Sequence, residues 1–195
     1  LLQVIDAKNL RRGLLISLQL LEMGLPFLLI LNMWDEAKSR GIEINIQTLS
    51  ELLGVPILKT VATRQKGLER IKENLQPRIP ASIPINYPDA IESAISRMTS
   101  LLPQASISKR SLALMLLSGD ESLADWLGQN LLEKDILRIE KIRQEIQGQF
   151  AEPIGYLINQ ARLRKVDELL PQVMGLKGEA PESITSHLGN LSIHP

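Results

Sequence analysis

PFLLILNMWDEAKSRG occupies residues 26–41. Bulky apolar residues run from Phe27 to Leu31 without a break, stop at Asn32, and are followed three positions later by Asp35. A short run that is apolar on both faces suits a central parallel strand, which helices cover on each side. A carboxamide and a carboxylate just beyond such a strand lie where open α/β sheets bind their ligands.

The flanking residues repeat the alternation. LLQVIDA (1–7) reads as a buried strand. NLRRGLLISLQLLEMG (9–24) reads as a helix, with Asn9 as N-cap, Gly24 as C′ residue, and Leu14, Leu18 and Leu21 on one face. NIQTLSELLG (45–54) is a short helix between Asn45 as cap and Gly54 as stop; VPILKTVA (55–62) is a third strand, and GLERIKENL (67–75) a further helix. Strand–helix alternation predicts an α/β unit: a partial parallel sheet of three strands with flanking helices.

QPRIPASIPINYP (76–88) carries four prolines and reads as an extended connection. Beyond it no strand pattern is expected. Helices are predicted over 88–102, 108–118, 121–130, 131–150 and 154–170, with Pro153 marking a break. In the fourth of these, Leu132, Ile136, Ile139, Ile142 and Ile146 form an apolar stripe, and Asp135–Arg138, Glu140–Arg143 and Lys141–Glu145 are expected ion pairs. The predicted organisation is an α/β unit over 1–78, a linker over 79–88, an all-α helical bundle over 89–190, and a last segment over 191–195.

Composition narrows the function. The net charge of the 195 residues is zero, which argues against nucleic acid as a partner, because phosphate binding draws on a basic excess or a basic face. There is no cysteine, so thiolate metal sites and disulfides are excluded. Aromatic residues are 3% of the chain, so the core must be aliphatic. Gln19, Glu22, Gly24 and Pro26 interrupt the apolar stretch 14–34, so no membrane span is read there. The sequence opens on Leu1 inside an apolar run, with no signal peptide, and is read as a piece of a longer chain.

Asn-x-x-Asp after an apolar strand suits guanine. The Asp35 carboxylate can accept two hydrogen bonds, from the ring N1–H and the exocyclic amino group, which adenine does not offer in that geometry. Asn32 can reach N7 and also tie neighbouring loops together. The backbone N–H groups of Ala62 and Thr63 can donate to the guanine O6, and the aliphatic part of Arg64 can cover a ring face. The plain alternative for those four residues is a turn with an Asx cap. Their position at a strand end, with a small-residue loop after the next strand, favours nucleotide binding.

VIDAKNL, QLLEMGLP, LNMWDEA, LSELLGVPI and TRQKG together resemble the second half of the G domain of ferrous iron transport protein B, the FeoB family. Met33 carries part of the resemblance: most GTPases have Lys there, whereas this family shows Asn-Met-x-Asp. KRSLALMLLSGD (109–120) is similar to the family's helical domain, and HLGNLSIHP to the stretch entering its first membrane helix. Ala62 stands where the family commonly shows Ser. The resemblance implies Asn32, Met33, Trp34, Asp35, Ala62, Thr63 and Arg64 as nucleotide-binding residues, with GTP or GDP as ligand. It implies Mg²⁺ in the complete protein, a transmembrane domain of the same parent chain as partner, and a place on the cytoplasmic face of the inner membrane. A homo-oligomer is compatible with it. No G-x-x-x-x-G-K-[ST] phosphate loop, switch threonine or D-x-x-G occurs, so the phosphate and Mg²⁺ groups are expected in a missing front half and these residues alone are not expected to hydrolyse GTP. Poor solubility is expected where that half's neighbours are absent.

Other candidates carry plainer readings. His187 and His194 lack ligand partners at metal spacing; Gly119-Asp120-Glu121 reads as a helix-boundary turn; Asp6 reads as a loop cap. Arg162, Arg164 and Lys165 read as a solvated face, with anionic headgroups the alternative. Trp34 either stacks on the base or packs on its own domain. Two rival functions are an RNA- or ribosome-associated GTPase, which predicts a basic, strand-containing appended domain, and a non-catalytic interaction module.

Overall fold

The computed structural model of the chain describes residues 1–74 and 85–176. Strands β1 (Leu2–Asp6), β2 (Leu28–Asn32) and β4 (Ile57–Lys59) form a parallel sheet in the order β1-β2-β4. The register sets Asp6 opposite Asn32, so the carboxyl ends of the first two strands finish level. Leu28 to Leu31 are all buried, as a strand covered on both faces requires.

Helix α1 (Leu10–Glu22) turns Leu10, Leu14, Leu18 and Leu21 into the core. It lies so close to β1 that a Cβ on Gly13 would sit 2.5 Å from Ile5 Cδ1. Gly24 ends the approach to β2 at φ 70°, which suits a residue without a Cβ. Asn45 caps α3 (Ile46–Leu53) by accepting from Thr48 N–H at 3.1 Å, and Gly54 stops it in the left-handed region. Asn9 does not cap α1 through its side chain; its amide donates instead to Asp6, which also accepts from Lys8 N–H and so caps the loop after β1.

The third strand is shorter than predicted. After Lys59 the chain makes a bridge between Val61 and Lys66 around a 3-10 turn over Ala62–Arg64. Two elements lie where no element is predicted: helix α2 (Trp34–Ser39) and strand β3 (Ile42–Ile44). β3 pairs antiparallel with β5 (Met174–Leu176), which corrects the expectation that no strand follows the proline-rich stretch. Three-residue strands 130 positions apart carry no period of their own, and only the fold brings them together.

The appended part is helical: α5 (Asp89–Thr99), α6 (Lys109–Leu117), α7 (Ala124–Asn130), α8 (Glu133–Gln147) and α9 (Ile154–Val173), with α4 (Glu69–Glu73) closing the α/β part. Ile139, Ile142 and Ile146 of α8 are buried, but Leu132 is exposed because it is the extended N-cap residue and not part of the helical stripe. Asp135–Arg138 and Glu140–Arg143 pair as expected, whereas Glu145 reaches across to Arg97 of α5 at 2.8 Å rather than to Lys141. Most of the predicted linker, both histidines and residues 177–195 lie outside the described residues.

The two parts share one core, running from Leu14 and Leu49 to Ile91, Ile158 and Val166. Their seam is polar and specific. The nearly buried Glu22 carboxylate accepts from Tyr87 Oη at 2.5 Å and from Arg162 Nε at 2.8 Å. The Glu22 carbonyl accepts from Ser108 Oγ at 2.5 Å, and the Met23 carbonyl from Ser108 N–H at 2.9 Å. Arg11 grips Asp167 through two bonds of 2.7 and 2.9 Å, and Asn45 N–H donates to the Val173 carbonyl at 2.8 Å. Arg162 therefore belongs to the seam rather than to a solvated face, and Lys165 pairs with Glu168 on α9.

Candidate functional site

The carboxyl ends of β2 and β4 hold the predicted residues. Asn32 is the last residue of β2, and its Oδ1 accepts from Ala62 N–H and from Thr60 Oγ1, each at 3.1 Å. A backbone N–H can only donate, so the Ala62 bond settles which end of the amide is the oxygen. The predicted tie between the two loops is thus present. It uses the Ala62 N–H, which is therefore engaged within the protein, while Thr63 N–H has no acceptor among the described residues. Among the same residues the Asn32 Nδ2 group meets no acceptor and faces outward as a donor.

Met33 follows in the left-handed region at φ 56° and ψ 35°, unusual for a residue with a long side chain. This turn starts α2 and keeps the Met33 thioether side exposed. It is held by Trp34 N–H donating to the Thr60 carbonyl at 3.2 Å. Asp35 lies in the first turn of α2, about one-third exposed, with Arg64 Nη1 3.6 Å from its Oδ2. Arg64 is itself mostly exposed, so moving it aside for a ligand forfeits little. Asp35 Oδ1 accepts from Glu36 N–H at 3.1 Å, and Oδ2 faces Arg64, so the carboxylate keeps further lone pairs for a ligand. A carboxylate acceptor and an amide donor at the same strand end suit a ligand that offers N–H groups and, separately, a lone acceptor.

Trp34 takes the opposite direction. It is half-buried against the core, with the Lys59 ammonium 5.6 Å from its ring centroid. It walls two clefts of about 520 and 370 Å³, and neither is lined by Asn32 or Asp35. Gly67 is required behind the second loop: its φ is 83°, and a Cβ there would meet the Lys59 carbonyl oxygen at 2.5 Å. Thr60 is buried, unlike the positions singled out from the sequence, and its place in the loop bonding carries no motif signal. Asp120 accepts from Ser122 N–H, as a helix-boundary turn does. No group of three or more His, Asp or Glu side chains that could hold a metal occurs among the described residues.

Solved structures with this architecture include a GDP-bound mutant of the S. thermophilus NFeoB protein, 28% identical, with a TM-score of 0.74 over 89% of this chain and 68% of that one. Another is S. thermophilus NFeoB bound to GDP, AlF₄⁻ and K⁺, 29% identical, with a TM-score of 0.70 over 85% of this chain and 66% of that one. The fold is accordingly that of part of a nucleotide-binding G domain followed by a helical domain. The family model described as ferrous iron transport protein B matches residues 1–75, and that of the FeoB cytosolic helical domain matches residues 87–175. The chain belongs to the FeoB family. It is 34% identical over 139 residues to a Porphyromonas gingivalis protein named as a fusion of Fe(2+) transport protein A and Fe(2+) transporter FeoB, covering 66% of this chain and 16% of that protein. It is 47% identical over 72 residues to the Escherichia coli Fe(2+) transporter FeoB, covering 37% of this chain and 9% of that protein. The chain thus spans less than a fifth of the length of either relative.

Proposed function

We propose that this chain supplies guanine recognition and the attached helical domain of a GTP-binding, GTP-hydrolysing regulator of Fe²⁺ transport. The nucleotide-binding residues are Asn32, Met33, Asp35, Thr63 and Arg64, with Ala62 engaged in holding Asn32 and Trp34 supporting the turn from its inner side. Residues 1–78 form the G-domain part, 79–88 the linker and 89–190 the helical domain, which faces a membrane domain of the same parent chain at the cytoplasmic side of the inner membrane. Nucleotide hydrolysis and Mg²⁺ belong to groups outside this sequence. The observation that carries the reading is the Asn32 amide, locked by the loop after β4 with its donor end outward, next to the accessible carboxylate of Asp35.

Nucleotide exchange in the full-length protein tests it. Asp35→Asn replaces a pair of acceptors by a donor and an acceptor, which suits the C2 carbonyl and N1–H of xanthine and misfits guanine. Each charge-assisted bond lost is about 1.5–3 kcal/mol. GDP affinity should fall roughly 10²–10⁴-fold, and the xanthosine diphosphate should gain. Unaltered preference among guanosine, xanthosine and adenosine nucleotides in Asp35→Asn and Asp35→Ala would remove the proposal.

A further inference from the structure

We propose that the smaller of the two clefts walled by Trp34 binds an organic phosphate monoester: Lys59, Lys66 and Arg70 hold the phosphate group, and Trp34 and Val61 wall the carbon part. Neither Asn32 nor Asp35 lines this cleft, so the site is separate from the base-recognition residues and does not draw on the guanine reading.

The cleft measures about 370 Å³ and lies between the end of β4, the loop after it and α4. Each of these three delivers one cation. Lys59 ends β4. Lys66 is pinned beside that end: Val61 N–H donates to the Lys66 carbonyl at 3.1 Å, and Lys66 N–H donates to the Val61 carbonyl at 3.2 Å. Gly67 permits the approach, with no Cβ to strike the Lys59 carbonyl oxygen. Arg70 comes from the first turn of α4. All three are exposed, and no Asp or Glu lines the cleft. Among the described residues none of the three forms an ion pair, and Lys59 only faces the Trp34 ring. Elsewhere in the fold Arg11, Arg143 and Arg162 each meet a carboxylate. The chain as a whole is neutral, so the cleft is a local excess of positive charge. Like charges gathered around a concave wall focus a positive potential and draw an anion in. A phosphate monoester presents three strong acceptor oxygens, one for each of the three elements, where a carboxylate presents two. An arginine fork with two lysine point charges suits that group, and the indole of Trp34 with Val61 gives its carbon part an apolar wall.

The test uses the full-length protein in excess GDP, labelled with 5-fluorotryptophan, with the Trp34 fluorine signal assigned by its loss in Trp34→Phe. Phenyl phosphate should shift that signal saturably, and added salt should weaken the effect. Lys66→Gln and Arg70→Gln should each weaken binding roughly three- to tenfold, the size of an exposed charge-assisted contact. Arg70→Lys keeps the charge and should retain most of the affinity. Lys72→Gln removes a charge from a side of α4 that does not face Arg70, and should change the affinity by less than about twofold. Nanodiscs of phosphatidylcholine with phosphatidic acid, compared with phosphatidylcholine alone, separate the two sources of the group. A Trp34 shift with phosphatidic acid and no added ester identifies a lipid headgroup; no shift there, with phenyl phosphate still binding, identifies a soluble ester, and either result supports the phosphate site. No saturable Trp34 shift from either source at low ionic strength overturns the proposal. So does equal affinity in Lys66→Gln, Arg70→Gln and the unmodified protein, or displacement of phenyl phosphate by a lower concentration of a glutamate-rich peptide, which would make the occupant an acidic protein segment.

Discussion

Glu22 joins the α/β part to the helical part through a charge that is almost wholly out of water. Its side chain is 4% exposed and that of its partner Arg162 is 15% exposed, so solvent can do little for either once separated. Glu22→Ala deletes the acceptor of both the Arg162 bond at 2.8 Å and the Tyr87 bond at 2.5 Å. Breaking one partner out of a buried ion pair costs about 3–5 kcal/mol, because the remaining charge keeps its burial and loses its compensation. The orphaned Tyr87 hydroxyl adds to this, although the two losses overlap and do not sum. In the parent protein burial first, and then the Glu22 charge, push the Tyr87 hydroxyl well above its ordinary value, so it stays a protonated donor to Glu22. For a unit of this size about 3–5 kcal/mol corresponds to a fall in melting temperature on the order of 10 °C. Glu22→Gln keeps the shape and one acceptor but turns an N–H toward a donor, so a smaller loss of about 1–3 kcal/mol is expected. Urea and thermal unfolding, followed by circular dichroism, measure both. A Glu22→Ala protein within about 1 kcal/mol of its parent would refute the claim that this pair holds the seam.

Gly13→Ala should destabilise by about 1–3 kcal/mol in the same unfolding assay. Its new Cβ would meet Ile5 Cδ1, Cβ and Cγ2 at 2.5, 2.8 and 2.9 Å inside the core; Cδ1 can rotate aside, but Cβ is fixed to the strand backbone and β1 and α1 must move apart. At acid pH the Glu92–Arg110 pair should loosen. Hydrogen bonds from Arg110 hold the Glu92 carboxyl below its ordinary 4.5, so the stabilisation is complete above that value and is lost as pH falls through the lower folded-state one. Both side chains are more than one-third exposed, so the contribution is small and salt-screened. The stability difference between the parent and Arg110→Gln should therefore shrink on acidification below pH 4.5 and persist above it.

The G-domain part was legible because its signals are local. An unbroken apolar run needs cover on both faces, Asn45 and Gly54 mark helix ends by chemistry that acts within a turn, and ligand groups in such sheets gather at strand ends. Those features placed β1, β2 and β4, most of the helices, and Asn32 beside Asp35. Local reading failed where bonding is distant. Asn9 looks like a cap, but its amide finds Asp6; Glu145 has a lysine one turn away and pairs with Arg97 of another helix. The β3–β5 ribbon unites segments that share no period: β5 runs on from α9, and the packing of α9 beside α1 and α3 sets it next to β3.

The same distinction runs through the site. Which side chains are candidates to face a base follows from residue type and spacing along a strand and its turn, and that much is written in Asn32-Met33-Trp34-Asp35. How they are held does not follow, because hydrogen-bond direction depends on atoms from another strand. The Ala62 N–H and the Thr60 hydroxyl fill the Asn32 oxygen, and Trp34 turns inward to Lys59, only once β4 lies beside β2. Residue chemistry alone singled out the proposed recognition groups, while their orientation, and the buried Glu22 seam that binds the helical domain to them, arose from packing distant segments into one low-dielectric core.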